Sequence, residues 1–367
     1  MLDDHVTIEK KKFSVGITAL YTMIIFVVVA FAAYNLLKSF GLRELHTVAK
    51  GLEGASIELF DMGDGVVVRD ENLPEGHVIY KDEEYKFNED LIVILVMGID
   101  KETVNEIGGQ SWEAVEGSYL SGGQADALFL LLLDPHKKDV NMITINRNTM
   151  AEVDVWDEEG NYRGILTEQI ALQHGYGDGG EESCLRQVKA VSRLFQGIPI
   201  HAYAAVSMDA IPEMNDAIGG VELEVLDDII YPEYDMDLHK GDTVTLMGEK
   251  AYWYVRLRNE NIFDSNSLRQ ERQRQYITAL AGKAKEASAE DIRVAIELYQ
   301  ILEKYMTTDL NLKSYTYLAS EAVNYKFDST HMYSLEGQVM QGNRFEEFYP
   351  DRDGMQDLLI KLFYEKV

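Results

Sequence analysis

From Leu91 to Met97 this chain is apolar at every position, and the runs Ala127–Leu133 and Val140–Ile145 are apolar on both faces. Side chains along a strand alternate sides, so runs of this kind belong to a sheet that is covered on both faces. Helical stripes separate and follow them at the 3.6 period. One carries Cys184, Leu185, Val188, Val191, Leu194 and Phe195 and is stopped by Gly197; another, near the end, carries Met355, Leu358, Leu359, Leu362 and Phe363. Strands are predicted at Ile200–Val206 and at Val221–Val225, the second after a short helix ending at Gly219-Gly220. Ser288 with Asp291 reads as a capping box that opens a helix bearing Ile292, Ala295, Ile296, Tyr299 and Leu302. Strands and helices alternating in this way predict a layered α/β domain.

The segment Asp134–Asp139 between two of the apolar runs is a turn. A hairpin centred between His136 and Lys137 sets Asp126 opposite Arg147 and Gln124 opposite Thr149 at its open end. That pair reads either as an ordinary cross-strand ion pair or as part of a site.

The stretch Tyr252–Ala284 carries the densest chemistry. Alternation predicts a short strand in which Tyr254, Arg256 and Arg258 share one face, followed by a polar loop with Asp264. A helix is expected from Ser265 or Ser267, with Gln273, Tyr276, Ile277, Leu280, Ala281 and Ala284 on its core side. Arg269, Arg272 and Gln273 lie at the head of that stripe, where the helix dipole opposes positive charge. An anion held among Arg256, Arg258, Arg269 and Arg272 would compensate, and forked guanidinium donors suit phosphate. A salt-bridge lattice with Glu260, Asp264 and Glu271 is the alternative.

Residues 1–14 form a polar tail ending in a lysine cluster, and 15–37 is an uncharged apolar run long enough to span a bilayer as a helix. It is read as a retained anchor with the N-terminus cytoplasmic and everything after Lys38 outside; the rival is a cleaved signal peptide with Ala30-Phe31-Ala32 as its site. Residues 38–90 read as a juxtamembrane stalk or accessory segment, and 91–367 as the main domain. Residues 102–123 are expected to be a loop at the site's edge. A formal charge of −29 argues against an exposed nucleic-acid surface. The single cysteine, Cys184, excludes an internal disulfide and falls on a core stripe. His174 has no second histidine at metal-ligand spacing and is read as structural.

Together Gly98-Ile99-Asp100, Arg147, Gly219-Gly220-Val221, Tyr254-Val255-Arg256-Leu257-Arg258 and Asp264 followed by Arg269 and Arg272-Gln273 resemble the LytR-CpsA-Psr family of bacterial envelope proteins. The motifs cover 91–284, leaving 285–367 as a helical completion. The resemblance implies one domain with a mixed central sheet flanked by helices, behind a single transmembrane helix in the cell membrane. It implies a phosphotransferase that moves a glycopolymer from an undecaprenyl-pyrophosphate carrier, its prenyl chain in an apolar slot, to a peptidoglycan hydroxyl. Asp126, Arg147, Arg256 and Arg258 would be catalytic. Arg147, Arg256, Arg258, Arg269, Arg272 and Gln273 would bind pyrophosphate, and Asp126 and Asp264 would hold Mg2+ or another divalent cation. The chain departs from the family pattern at Gln124-Ala125-Asp126, where Arg-Ser-Asp is usual, and at Asn146-Arg147-Asn148, where Pro-Arg-Asp is usual. Those neutral residues keep open a non-catalytic lipid-pyrophosphate scaffold; a hydrolase is the third reading.

Overall fold

The computed structural model describes residues 38–45, 73–100, 122–157, 159–259, 263–322, 324–327, 329–342 and 345–367. The expected anchor and the loop at 102–121 lie outside them. Six strands form the central sheet: β1 (Ile92–Asp100), β2 (Gln124–Asp134), β3 (Asp139–Ile145), β4 (Ala202–Ser207), β5 (Met306–Thr308) and β6 (Met332–Ser334), in the order β5-β4-β1-β2-β3-β6. The sheet is mixed. β1 pairs parallel with β4 and antiparallel with β2, while β3 pairs antiparallel with β2 and parallel with β6.

The unbroken apolar runs follow from two covered faces. Val93, Leu95 and Met97 point into one cluster, with Leu128, Leu130 and Leu132 of β2 and residues of α1 (Glu181–Leu194) and of a C-terminal helix, α7 (Arg352–Phe363). Ile92 and Ile94 point into the other, with Ala202, Tyr317 and Leu45. Tyr317 belongs to α6 (Leu312–Ala322), and Leu45 to a helical segment at 38–45. Truncating a fully buried leucine such as Leu128 or Leu130 costs about 2–5 kcal/mol, because transfer and cavity terms add.

A second cluster lies under α2 (Ala210–Ala217), α3 (Glu249–Arg256), α4 (Ser265–Glu290) and α5 (Ile292–Tyr305), and includes Met208, Leu223, Tyr252, Val255 and Tyr276. Here two sequence expectations are corrected. Tyr252–Arg256 is helical, the last part of α3, so the alternation of Tyr254, Arg256 and Arg258 is not that of a strand. Short aromatic runs fit both periods, and burial of Tyr252, Tyr254 and Val255 decides for the helix. Ser288 lies inside α4, and Asp291 caps α5 instead, its side chain accepting from the Arg293 amide. Ile296 and Tyr299 are consequently exposed, while Val294 and Leu298 face the cluster.

The part of 38–90 that can be described is not separate from the domain. A hairpin of His77–Tyr80 and Glu83–Phe87 gains Tyr364–Lys366 as its third strand, and the Tyr80 hydroxyl donates to Asp357 of α7 at 2.6 Å.

Candidate functional site

The β2–β3 register runs Leu128↔Ile145 through Asp134↔Asp139, the one expected from the turn. Continued beyond the last ladder pair, it brings Arg147 to Asp126, with Nη1 2.5 Å from Oδ1. The ladder does not reach Gln124 and Thr149; Gln124 pairs instead with Asp100 across β1. Two local features aim these side chains. On the other edge of β2, Gly98 pairs with Ala127 but Ile99 pairs with Ala125, so Asp126 is the extra residue of a bulge, which redirects its carboxylate. On the β3 side, Asn146–Thr149 closes a turn in which the Asn148 amide donates to Asn146 Oδ1 at 2.9 Å and the Thr149 hydroxyl to the Asn146 carbonyl at 2.6 Å.

That turn carries the head of α4. Asn266 donates to Asn146 Oδ1 at 2.8 Å and accepts from Arg269 Nη2 at 2.7 Å, which places Arg269 Nη1 4.0 Å from Asp126 Oδ2. Asp126 and Arg269 are 6% and 5% exposed. Arg269 is pushed down to about 9, first by burial, with Arg147, Arg258 and Arg272 adding repulsion and Asp126 opposing it. Among the described residues one buried carboxylate, Asp126, therefore faces two guanidinium groups, those of Arg147 and Arg269. Arg147 also donates to Gln124, which fills the neutral position beside it with an acceptor.

The other arginines are placed differently. Arg256 is turned along its own helix, donating to the Tyr252 hydroxyl, with Cζ 5.2 Å and 5.7 Å from the Tyr252 and Trp253 ring centroids. Arg272 donates to the carbonyls of Tyr254, at 2.6 Å, and Leu257, and pairs with Asp227 at 3.2 Å. Gln273 donates to the Val255 carbonyl at 3.2 Å. The last carbonyls of a helix have no partner within it, so Arg272 and Gln273 cap the C-terminus of α3 and fix where Arg256 and Arg258 emerge. Arg258 is half-buried.

Asp264, not a serine, is the N-cap residue of α4, in the left-handed region at φ 61°. Its amide donates to Glu346 Oε1 at 2.8 Å, and its carboxylate accepts from the Ser267 hydroxyl. Glu346 is a neighbour of Asp264 that sequence reasoning missed. It arrives on a distant hairpin, Gly337–Gln341 with Glu346–Pro350, which is joined to the site turn by the Phe348 amide donating to the Asn148 carbonyl at 2.9 Å. Gln169 bridges the Asn148 side chain and the Glu346 carbonyl, at 3.3 and 2.8 Å. No spacing motif in the sequence marks either residue. His174 and Cys184 are buried, 3.9 Å apart, and His174 also meets the Gly123 carbonyl at 3.1 Å.

Among the described residues no group of three or more His, Cys, Asp or Glu is arranged to hold a metal. Among the described residues Glu346 Oε2 is nonetheless a buried oxygen that accepts no hydrogen bond, and Asp126 Oδ1 is held by the Arg147 ion pair. Hard carboxylate oxygens in small number fit a magnesium-class ion that takes its remaining ligands from water and substrate phosphates.

Residues 70–361 match the model of the LytR_cpsA_psr family. The chain is 23% identical to the polyisoprenyl-teichoic acid–peptidoglycan teichoic acid transferase TagU of Bacillus subtilis, over 77% of this chain and 80% of that protein. It is 26% identical to the TagU of Halalkalibacterium halodurans, over 62% and 67%. Among solved structures, TagV of B. subtilis superposes with a TM-score of 0.55 at 23% identity, covering 74% of this chain and 95% of that one. Protein gbs0355 of Streptococcus agalactiae gives 0.56 at 19% identity, covering 74% and 86%. At these identities the structural likeness is one of fold.

Proposed function

The chain belongs to the LytR_cpsA_psr family, and from that premise we propose that it transfers a glycopolymer from an undecaprenyl-pyrophosphate carrier to a peptidoglycan hydroxyl. The observation that carries this reading is the convergence of two guanidinium groups, those of Arg147 and Arg269, on one buried carboxylate, Asp126. A pyrophosphate supplies the negative charge such a cluster lacks, and phosphoryl transfer depends mainly on positioning and charge neutralisation. The names of the TagU relatives, teichoic acid transferases acting on peptidoglycan, support the same class of reaction.

In the proposed step the acceptor oxygen bonds the sugar-side phosphorus as the bond from that phosphorus to the bridging oxygen breaks. Polyprenyl phosphate leaves, and the hydroxyl proton passes to Asp126. Arg147, Arg258 and Arg269 hold the phosphates, and Arg256 joins them by swinging off Tyr252. Arg272 and Gln273 act indirectly, by fixing the end of α3. A divalent cation such as Mg2+, held by Asp126 and Asp264, would supply Lewis-acid neutralisation of the phosphates. The domain acts from outside the cytoplasm, tethered by a single span at 15–37 with residues 1–14 inside. Among the described residues no helix is long and apolar enough to cross a membrane.

The neutral Gln124 and Asn148 favour one rival, a scaffold that binds the lipid without turning it over. Incubating purified protein with a polyprenyl-pyrophosphate saccharide and Mg2+, with and without a glycan acceptor, separates the readings. Product that requires the acceptor supports transfer. Free saccharide phosphate identifies a hydrolase, and lipid retained without turnover identifies the scaffold; either result overturns the proposal.

A further inference from the structure

The helical segment 38–45 begins directly after the apolar run 15–37, and it is fastened to the domain. Leu45 is 2% exposed and, with Leu42, packs against Ile92, Ile94, Ala202 and Tyr317. Glu44 accepts from Lys313 at 2.8 Å and from Asn311 at 2.7 Å, and Lys38 pairs with Glu321. A Cβ on Gly41 would collide with the Lys313 carbonyl and come within 2.9 Å of Tyr317 Cβ, so the segment sits against α6 as closely as backbone allows.

Its position in the sheet is defined by Glu321, which also pairs with Lys138 of the β2–β3 turn at 2.7 Å. The Lys138 carbonyl in turn accepts from the Lys326 amide at 2.9 Å. That turn is the opposite end of β2 from Asp126. Eight residues of extended chain separate Asp126 from Asp134, a distance of about 25 Å.

Phe40 is 50% exposed and Leu312 71%. Lys38, Lys137, Lys138 and Lys313 each meet an acid, so this end is close to neutral in a protein of formal charge −29. Exposed phenylalanine and leucine on a near-neutral surface gain by entering a bilayer interface.

We propose that the β2–β3 turn, the segment 38–45 and the N-terminus of α6 rest on the bilayer, and that the arginine site is held at the far end of the sheet, about 25 Å above the lipid and facing the wall. This rests on the anchored reading given above. Because segment 38–45 follows the proposed span directly in sequence and is docked at the turn end, the site is held away from the membrane. A lipid carrier whose head group reaches Asp126 and Arg269 therefore lays its tail along the domain, and the acceptor approaches from the wall side.

The test uses the full chain in liposomes that carry an acceptor dye on their head groups. A donor dye is attached at His136→Cys in the turn, where the side chain is 74% exposed, or at Leu268→Cys beside the site, where the residue is 41% exposed. Cys184 is buried and stays unlabelled in the folded protein. Energy transfer is expected to be several-fold stronger from position 136 than from 268, and Gly41→Leu, which unseats the segment, is expected to narrow the difference. Equal transfer, or the reverse order, overturns the orientation while leaving the anchor and the transferase reading intact. Protein that does not float with the vesicles overturns the anchor and the orientation together.

Discussion

Arg269 is where the proposed chemistry and the stability of the domain pull in opposite directions, and Arg269→Met separates them. Its guanidinium is buried, and burial pushes its pKa down to about 9 in the fold. At 1.36 kcal/mol per unit this corresponds to about 5 kcal/mol of net penalty at neutral pH, with the attraction of Asp126 already included. Methionine removes that penalty and fills similar space, but leaves Asn266 Oδ1 without the donor now 2.7 Å away, a loss of about 1–3 kcal/mol. Urea unfolding at pH 7 should therefore show the variant more stable than the parent by about 2–4 kcal/mol, while turnover is lost. The pH dependence has a definite sign. Burial holds the arginine's pKa in the folded chain at about 9, below its value in the unfolded chain. The penalty is complete below 9 and fades as pH rises from there, so the advantage of Arg269→Met should shrink in alkaline buffer. A variant destabilised at pH 7, or an advantage that grows above pH 9, would refute the reasoning.

Arg272→Met should behave in the opposite way despite lying one turn along the same helix. It strips the cap from the Tyr254 and Leu257 carbonyls and leaves Asp227 unpaired, so calorimetry should register a loss of about 3–5 kcal/mol. Asp126→Asn removes the carboxylate shared by Arg147 and Arg269; metal-dependent turnover should vanish, and stability should fall by an amount that added inorganic pyrophosphate partly restores in a thermal-shift assay. Gln124→Arg replaces the acceptor of Arg147 with another cation, so the free protein should melt lower than the parent while isothermal titration shows tighter pyrophosphate binding.

What could be read from sequence divides along physical lines. The Asp126–Arg147 pairing was legible because a hairpin's register is fixed by its turn, and Asp134–Asp139 marks the turn plainly. The two-faced burial of β1 and β2 was legible because no half-exposed strand is apolar at every position. Tyr252–Arg258 was not, since aromatic and β-branched residues over so short a run fit either period, and only packing against Tyr276 and the α3 caps chooses the helix. Nor does an arginine reveal from its spacing whether it faces a carboxylate across the site or a backbone carbonyl: Arg269 and Arg272 look alike in sequence and differ entirely in place. Glu346 was invisible for a third reason. It comes to Asp264 through a non-local hairpin, and no local pattern encodes that contact.

The three-stranded sheet that unites His77–Tyr80 and Glu83–Phe87 with Tyr364–Lys366 has a kinetic side. The Tyr80 hydroxyl and Asp357 are 277 positions apart, so this corner closes only after a very large loop has formed. A ribosome emits the hairpin long before its third strand, and that edge must wait uncovered, a template for mispairing with another nascent copy. Closure of this corner thus waits for residues 364–366, and a short deletion or bulky tag there would act on the hairpin at 77–87.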